Sequence, residues 1–217
     1  MRRKEADSVG SIEKLKWRYA TKKFDPERRL SAEKLQLLKE AFNLTPLSYG
    51  LQTLKMGVIA DRELRRGMLP LCWGQSQVVE ASHLLVLCIQ KHIGEADARE
   101  HFENIQRIRT TPEEVLAPYR QRLKAHLASK SRVENREWAV RQAYIALGNL
   151  LAVCAFEGID ACPMEGFEPS SVDAFLNLEA LGLESVLLLP VGYRAADDFF
   201  QKLEKVRKSL DSVIVEF

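Results

Sequence analysis

The chain has 217 residues, enough for one domain with a sizeable core, and its 46% hydrophobic and 29% charged residues are a globular balance that excludes a disordered chain. Thirty-two Lys and Arg against 30 Asp and Glu leave a formal net charge of +2, so no global basic field draws in nucleic acid or an anionic membrane, and only local cationic clusters need a reason. No apolar run follows the opening MRRKEADSVG, and stretches such as Val186 to Val191 fall far short of the roughly 20 residues of a spanning helix, so neither signal nor anchor is expected and the reading is cytoplasmic.

In chain order, Ile12, Leu15 and Trp17 mark a short helix running into Arg18. Ser31, followed by Glu33-Lys34 and then Leu35, Leu38 and Phe42, predicts an N-capped amphipathic helix that ends before Thr45-Pro46. Leu54 to Ala60 alternates and reads as a strand, while the near-continuous apolar run His83 to Gln90 reads as a fully buried one. From His92 to Arg136 the chain is strongly charged, punctuated by Pro112 and Pro118. Helical spacing at Val115, Tyr119, Leu123 and Leu127 predicts exposed helices that cover something. Glu134 to Gly158 reads as one long helix stopped by Glu157-Gly158, whose small residues Ala143, Ala146 and Gly148 would admit another helix at a dimer interface.

A turn at Ala161 to Phe167, a helix from about Ser170 to Leu178, a strand Ser185 to Tyr193 and a terminal strand Ser212 to Phe217 complete the chain. Pro190 places the end of the Ser185 to Tyr193 strand at a sheet edge or a bulge. The apolar tail calls for a partner sheet. Cys72, Cys88, Cys154 and Cys162 form no CxxC pair and lie in or beside apolar segments, so buried free thiols are expected rather than disulfides or metal ligands. His83, opening the buried strand, is expected to be a satisfied structural histidine; His92, His101 and His126 stand in polar surroundings. Without repeats or linkers, residues 1–217 read as a single domain.

Three clusters set far apart carry the chemistry: Arg18 to Phe24 (RYATKKF), Pro163 to Phe167 (PMEGF) and Lys205-Val206-Arg207. If the first helix continues through Arg18 and Lys22 they share a face, and two cations side by side repel unless an anion sits between them. Lys205 and Arg207 repeat the arrangement near the other end. A cation about 4 Å from a phosphate, at an effective dielectric near 20, supplies about 4 kcal/mol before desolvation is subtracted. A solvated surface charge is the ordinary role for any one Lys or Arg. Cations at both ends of the chain with a glycine-bearing turn between them are what a planar, phosphate-bearing cofactor needs.

Further pieces extend the pattern. Pro46 to Leu54 (PLSYGLQTL) stands where a Pro-Ser-Ser-x-Asn-x-Gln-Pro-Trp type loop would, Arg18 to Phe24 where an Arg-x-Ser-x-Lys-x-Phe type signature would, and Gln75 to His83 leads into the buried strand. With PMEGF and Lys205-Val206-Arg207 in the same order, the chain resembles the nitroreductase family of flavoenzymes from Arg18 to Phe217. The resemblance implies an α+β fold, a mixed, mainly antiparallel central sheet surrounded by helices, in an intertwined homodimer with FMN at its interface. It implies that Arg18, Tyr19, Ala20, Lys22, Lys205 and Arg207 of one subunit line the phosphate, ribityl and pyrimidine regions, with Lys22 near the ring edge at N1 and O2. Gln77 would reach the pyrimidine edge, and Leu47, Ser48 and Gly50 would come from the other subunit. In the turn Pro163, Met164, Glu165 and Gly166, the backbone N–H groups of Glu165 and Gly166 would face flavin N5 and O4.

The same resemblance implies NADH or NADPH as hydride donor and a small-molecule acceptor, nitroaromatic, quinone or a related planar compound, taken in ping-pong order with Tyr49 and Trp73 as walls of its site. No dedicated catalytic acid or nucleophile is required, because the cofactor supplies the chemistry. No Gly-x-Gly-x-x-Gly follows a strand, so the nicotinamide visits rather than resides. Ala20, Tyr19 and Gly50 depart from the family pattern, and Gln77 is a neutral donor where some members carry Lys. Two other readings stand beside this one: an FMN-binding relative with oxygen-dependent or dehalogenating chemistry, and a non-catalytic flavin-binding or interaction dimer.

Overall fold

A computed structural model describes residues 7–217. Strands β1 (Leu54–Ile59), β2 (His83–Gln90), β3 (Asp160–Ala161) and β4 (Leu183–Gly192) form one sheet in the order β1-β2-β4-β3 with every pair antiparallel. Parallel pairing is confined to an isolated bridge between Ala20 and Ala161. Around the sheet lie α1 (Asp7–Trp17), α2 (Ala32–Asn43), α3 (Arg62–Met68), α4 (Gln77–Glu80), α5 (Glu95–Arg109), α6 (Glu113–Ala128), α7 (Arg132–Phe156) and α8 (Pro169–Phe175).

Strand β2 is apolar because both its faces are covered. Leu85, Leu87 and Ile89 pack with Leu38 of α2 and with Ala143, Leu147 and Leu150 of α7. Leu84, Val86 and Cys88 face the opposite layer, built from Met68 of α3, Val78 of α4 and Val172 of α8. A strand between two dry layers has no solvent face for polar residues, so the expected burial is found. The α5–α6 pair closes its own small core around Phe102, Leu116, Leu123 and Leu127. Of the predicted apolar positions there, Val115 faces outward and Leu116 takes the inner place. Pro112 caps α6 as punctuation, whereas Pro118 lies inside that helix on its exposed side, where it forgoes one backbone hydrogen bond.

Ser31 caps α2 as predicted. Helix α7 begins at Arg132 rather than Glu134, since Ser131 and Glu134 form a capping box in which Glu134 is the third helical residue. Gly158, at φ +64°, lies just beyond its end. Although α7 is long and apolar enough to cross a membrane, it is the core helix of the domain, with Ala139, Ala143, Ala146, Leu150 and Cys154 buried against the sheet. Ala143 and Ala146 therefore face inward, and of the three small residues expected to admit another helix only Gly148 lies outside.

Two expectations are corrected. Residues 212–217 form no strand: a single turn at Leu210–Ser212 leads into Val213, Ile214, Val215 and Phe217, all exposed, because within one chain the tail meets no ladder to join. Pro190 lies at neither an edge nor a bulge but opposite Leu84 of β2, and its carbonyl accepts from the Cys162 N–H at 3.1 Å. The donor it lacks faces the segment 160–164. That ladder accordingly breaks into the two-residue β3 and a separate bridge between Met164 and Leu188. The irregular register of β4 falls further back, beside Leu87 and Cys88.

All four cysteines are free and buried. His83 is buried with Nδ1 2.9 Å from Ser82 Oγ, and burial, then Arg29, Arg65 and Lys39, push its pKa down to about 4. In the unfolded chain this imidazole titrates near the ordinary value of about 6.5. Below that pH the unfolded state binds a proton that the native state refuses, so stability falls as pH drops from about 6.5 toward 4. A loss of roughly 1–3 kcal/mol is expected over that window. Melting temperatures of wild type and His83→Asn across it are the check: the variant should lose much less, and parallel curves would refute the assignment.

Candidate functional site

The site is built where the N-terminal and C-terminal segments meet along the β3 edge of the sheet. Helix α1 stops at Trp17 and the chain bends at Lys22 and Lys23, so Arg18 and Lys22 do not share a helical face as expected. The bridge of Ala20 to Ala161, with the Thr21 N–H donating to Ala161 O at 3.2 Å, holds the start of this strip beside β3. On its other side Asp25 N–H donates to Tyr193 O at 2.8 Å and Ala195 N–H to Lys23 O at 3.0 Å. The strip is thus held between β3 and the residues that follow β4.

Two buried carboxylates lock this junction, and sequence reasoning singled out neither. Asp160 pairs with Arg194 (Oδ1 to Nη2 2.6 Å) and accepts the Arg194 backbone N–H at 2.8 Å. The guanidinium of Arg194 lies over the rings of Trp17 and Tyr19, at 4.2 and 4.5 Å from their centroids. Asp198 accepts from Tyr19 Oη (2.9 Å) and from the backbone N–H groups of Lys22 (3.0 Å), Lys23 (3.1 Å) and Phe200 (3.0 Å). Although burial opposes ionisation, these donors hold the Asp198 carboxyl below its usual range. Burial and the hydrogen bond to Asp198 raise the Tyr19 phenol well above its ordinary value. Tyr19 is therefore committed to the scaffold.

With the strip so placed, cations from the two ends converge. Lys205 is half-buried, and burial together with Arg18, Arg207 and Arg194 lowers its pKa. Among the described residues, Arg18, Lys22, Lys205 and Arg207 have no carboxylate partner, while Lys91, Lys124 and Arg136 are paired with Glu179, Glu95 and Glu184. Those three line a separate cleft of about 700 Å³ beside α5, α6 and the start of α7. Unbalanced, mutually repelling cations are what an anion would relieve.

Next along the edge, Cys162 lies within the field of Lys22 and beside Gln77. Burial pushes that thiol up, while the Lys22 charge and a hydrogen bond with Gln77 pull it down. In the turn that follows, Met164 belongs to the core, and its N–H and C=O both bond to Leu188 (2.9 and 3.1 Å), so it has no backbone group left for a ligand. Glu165 and Gly166 differ: among the described residues neither N–H has an intramolecular acceptor. A Cβ on Gly166 would stand 2.6 Å from Gln75 Nε2 and 3.1 Å from the Trp73 ring, so a side chain there would displace both. Trp73, 64% exposed, donates from Nε1 to Glu168 at 2.8 Å, and Tyr144 Oη donates to Glu165 at 2.6 Å. Half-buried Pro163 leads into the turn. Unpaired cations, free N–H donors and a cradle that a side chain would fill fit a planar ring carrying a phosphate.

The loop Leu47, Ser48, Tyr49 and Gly50 lies apart from these groups. Ser48 N–H donates to Gln142 at 2.9 Å, Tyr119 Oη to Tyr49 O at 3.3 Å, and the Tyr49 ring meets those of His126 and Trp138. Tyr49 and Gly50 both take positive φ (61° and 72°), unstrained for the glycine but costly for Tyr49, which these contacts hold, with Gly50 against His101. Within one chain the structure brings together the strip, Gln77, the turn and the C-terminal cations, but not this loop.

Comparison with known proteins follows the same lines. The family model described as "Nitroreductase family" matches residues 15–193. A Staphylococcus epidermidis protein provisionally named NAD(P)H nitroreductase is 30% identical over 216 residues, 94% of each chain. The oxygen-insensitive NAD(P)H nitroreductase of Salmonella typhimurium is 28% identical over 92% of this chain and 95% of its own. Among solved structures, a Bacillus subtilis protein provisionally named nitroreductase superposes with a TM-score of 0.86 at 20% identity, covering 96% and 99% of the two chains. One from Exiguobacterium sibiricum, also provisionally named nitroreductase and solved in complex with FMN, gives 0.82 at 18% identity over 95% and 96%.

Proposed function

Since this chain belongs to the nitroreductase family, we propose that it is an FMN-dependent NAD(P)H oxidoreductase that delivers two electrons, in ping-pong order, to nitroaromatic, quinone or related planar acceptors. The observation that carries the reading is the convergence of Arg18, Lys205 and Arg207, from opposite ends of the chain, with no carboxylate among the described residues to balance them. Arg18, Lys205 and Arg207 would hold the phosphate, and Lys22 and Gln77 the polar edge of the ring. The free N–H groups of Glu165 and Gly166 would fix its orientation. FMN, when bound, supplies the two-electron chemistry between nicotinamide and acceptor. Lys22 sets a positive charge at the ring edge, which favours the electron-rich state. Trp73 offers an exposed aromatic wall on which a planar donor or acceptor can stack.

The working form is a homodimer in this reading. Its support is the apolar surface left open by one chain: Ile12 and Trp17 of α1, Tyr144, Ile145 and Phe156 of α7, and Ile214, Val215 and Phe217 of the tail. A second copy would cover these residues and bring its own Leu47 to Gly50 loop, with Tyr49, to the ring. A cytoplasmic location agrees with four buried thiols in the free state.

The test is the visible absorption spectrum of the purified protein under anaerobic conditions, before and after NADH and then NADPH. Oxidised-flavin bands that bleach with either nucleotide are expected, with colour restored by a quinone. A colourless protein that takes up no added FMN would end the proposal.

A further inference from the structure

The cations named above do not meet by themselves. Two segments that nothing in the chain joins locally, 18–24 and 199–207, must be set at a fixed separation before Arg18 can act with Lys205 and Arg207. Backbone hydrogen bonds zip residues 23–25 to 193–195, but they stop at Ala195. Beyond that point side chains take over: the exposed Asp197 pairs with Lys23, and the buried Asp198 holds the backbone of both segments.

We propose that Asp198 is the positioning residue for phosphate recognition, a carboxylate whose two oxygens each hold one arm of the cation cluster. Oδ2 accepts from Tyr19 Oη, Lys22 N–H and Lys23 N–H at 2.9, 3.0 and 3.1 Å, which fixes the N-terminal strip. Oδ1 accepts from Phe200 N–H at 3.0 Å and caps the short turn Phe199–Lys202, which launches the chain toward Lys205 and Arg207. The side chain is 2% exposed, so both arms are held by a group that solvent does not reach. Asp160 performs the companion task behind it, locking Arg194 to β3, while Arg18, Lys205 and Arg207 have no carboxylate partner among the described residues. Asp198 touches no ligand itself. A carboxylate is suited to the task because it accepts from four donors at once, whereas an amide would set an N–H₂ group against one of them.

This inference rests on the flavin reading above, and its test separates the two. FMN and riboflavin share the ring and differ in the phosphate. Asp198→Ala and the milder Asp198→Asn would each be titrated, as apo-protein, with FMN and with riboflavin by flavin fluorescence quenching, beside wild type and with melting curves of every apo-protein. In wild type FMN should bind far more tightly than riboflavin. In both variants FMN affinity should fall about tenfold or more, the effect of losing charge-assisted contacts in the phosphate grip. Riboflavin affinity should stay within about threefold, a change too small for a lost hydrogen bond to a charged group, so that the preference for FMN collapses in a chain that still melts cooperatively. A merely structural role would weaken both flavins in proportion. Equal loss of the two, or no loss of either in the folded Asn variant, overturns the assignment. Wild-type protein that takes up neither flavin would instead overturn the flavin reading, and the control shows it before any variant is compared.

Discussion

The double variant Arg18→Ala, Arg207→Ala is expected to purify without yellow colour while keeping its fold. Hydrogen bonds to charged groups contribute about 1.5–3 kcal/mol each, so removing two should weaken FMN by roughly 10² to 10⁴-fold. Stability should barely move, because neither side chain has a carboxylate partner among the described residues, and the Arg207 guanidinium bonds only to its neighbour's carbonyl, Val206 O. Removing two like charges from beside Lys205 also lifts the repulsion that lowers its pKa. The checks are equilibrium titration with FMN and the melting temperature of the apo-protein. A double variant that stays fully yellow would remove the phosphate assignment, and one that fails to fold would show that these cations serve the scaffold.

Arg65→Met should produce the largest loss of stability, about 3–5 kcal/mol, since three carbonyls lose their donor at about 1–3 kcal/mol for each group left unsatisfied. Arg65 is fully buried on α3, with Nη1 donating to the carbonyls of Val78 (3.0 Å), Val79 (3.0 Å) and Ala81 (2.6 Å), at the C-terminal end of α4. Burial, and then Arg29 and Arg62, lower its pKa to about 10, so it remains charged at neutral pH. Its methionine counterpart would leave three carbonyls without donors. The consequence reaches the site, since α4 has only four residues and carries Gln77. Urea unfolding should show the loss, with a melting temperature lower by about 10 °C on the scale usual for a chain of this size. Arg65→Lys should recover only part of it, because an ammonium cannot reproduce the planar fork. An Arg65→Met protein as stable as wild type would show that α4 needs no clamp.

Elements with strong periodicity were legible before the structure, and those stabilised by distant partners were not. HLLVLCIQ is β2 from its first residue to its last, and α7 runs Arg132–Phe156 where Glu134 to Gly158 was predicted, a shift of two residues at each end. Helix α3 escaped notice because it spans seven residues and its strongest signal, the Asp61 cap, is two local hydrogen bonds to Glu63 and Leu64 N–H. Strand β3 has two residues and no pattern to read. The tail was read as a strand from its β-branched residues, but strand propensity is realised only where a ladder is offered. At the candidate site, the cations and the Gly166 turn were singled out from residue type and order, and Gln77 from the family resemblance. Arg194, Asp160 and Asp198 were passed over, for single charged residues in polar segments resemble the solvated majority.

By itself the sequence determined the chemical inventory: cations near both ends, a glycine-bearing turn between them, and two apolar elements, β2 and α7, long enough to form the core. Only the tertiary structure decided which of these residues lie side by side. Asp198 meets Lys22 across 176 positions, and Gln75 meets Gly166 across 91. Such pairings follow from which surfaces bury against which. They are set by the register of β4 and the loss of water around buried carboxylates, and no local spacing encodes either.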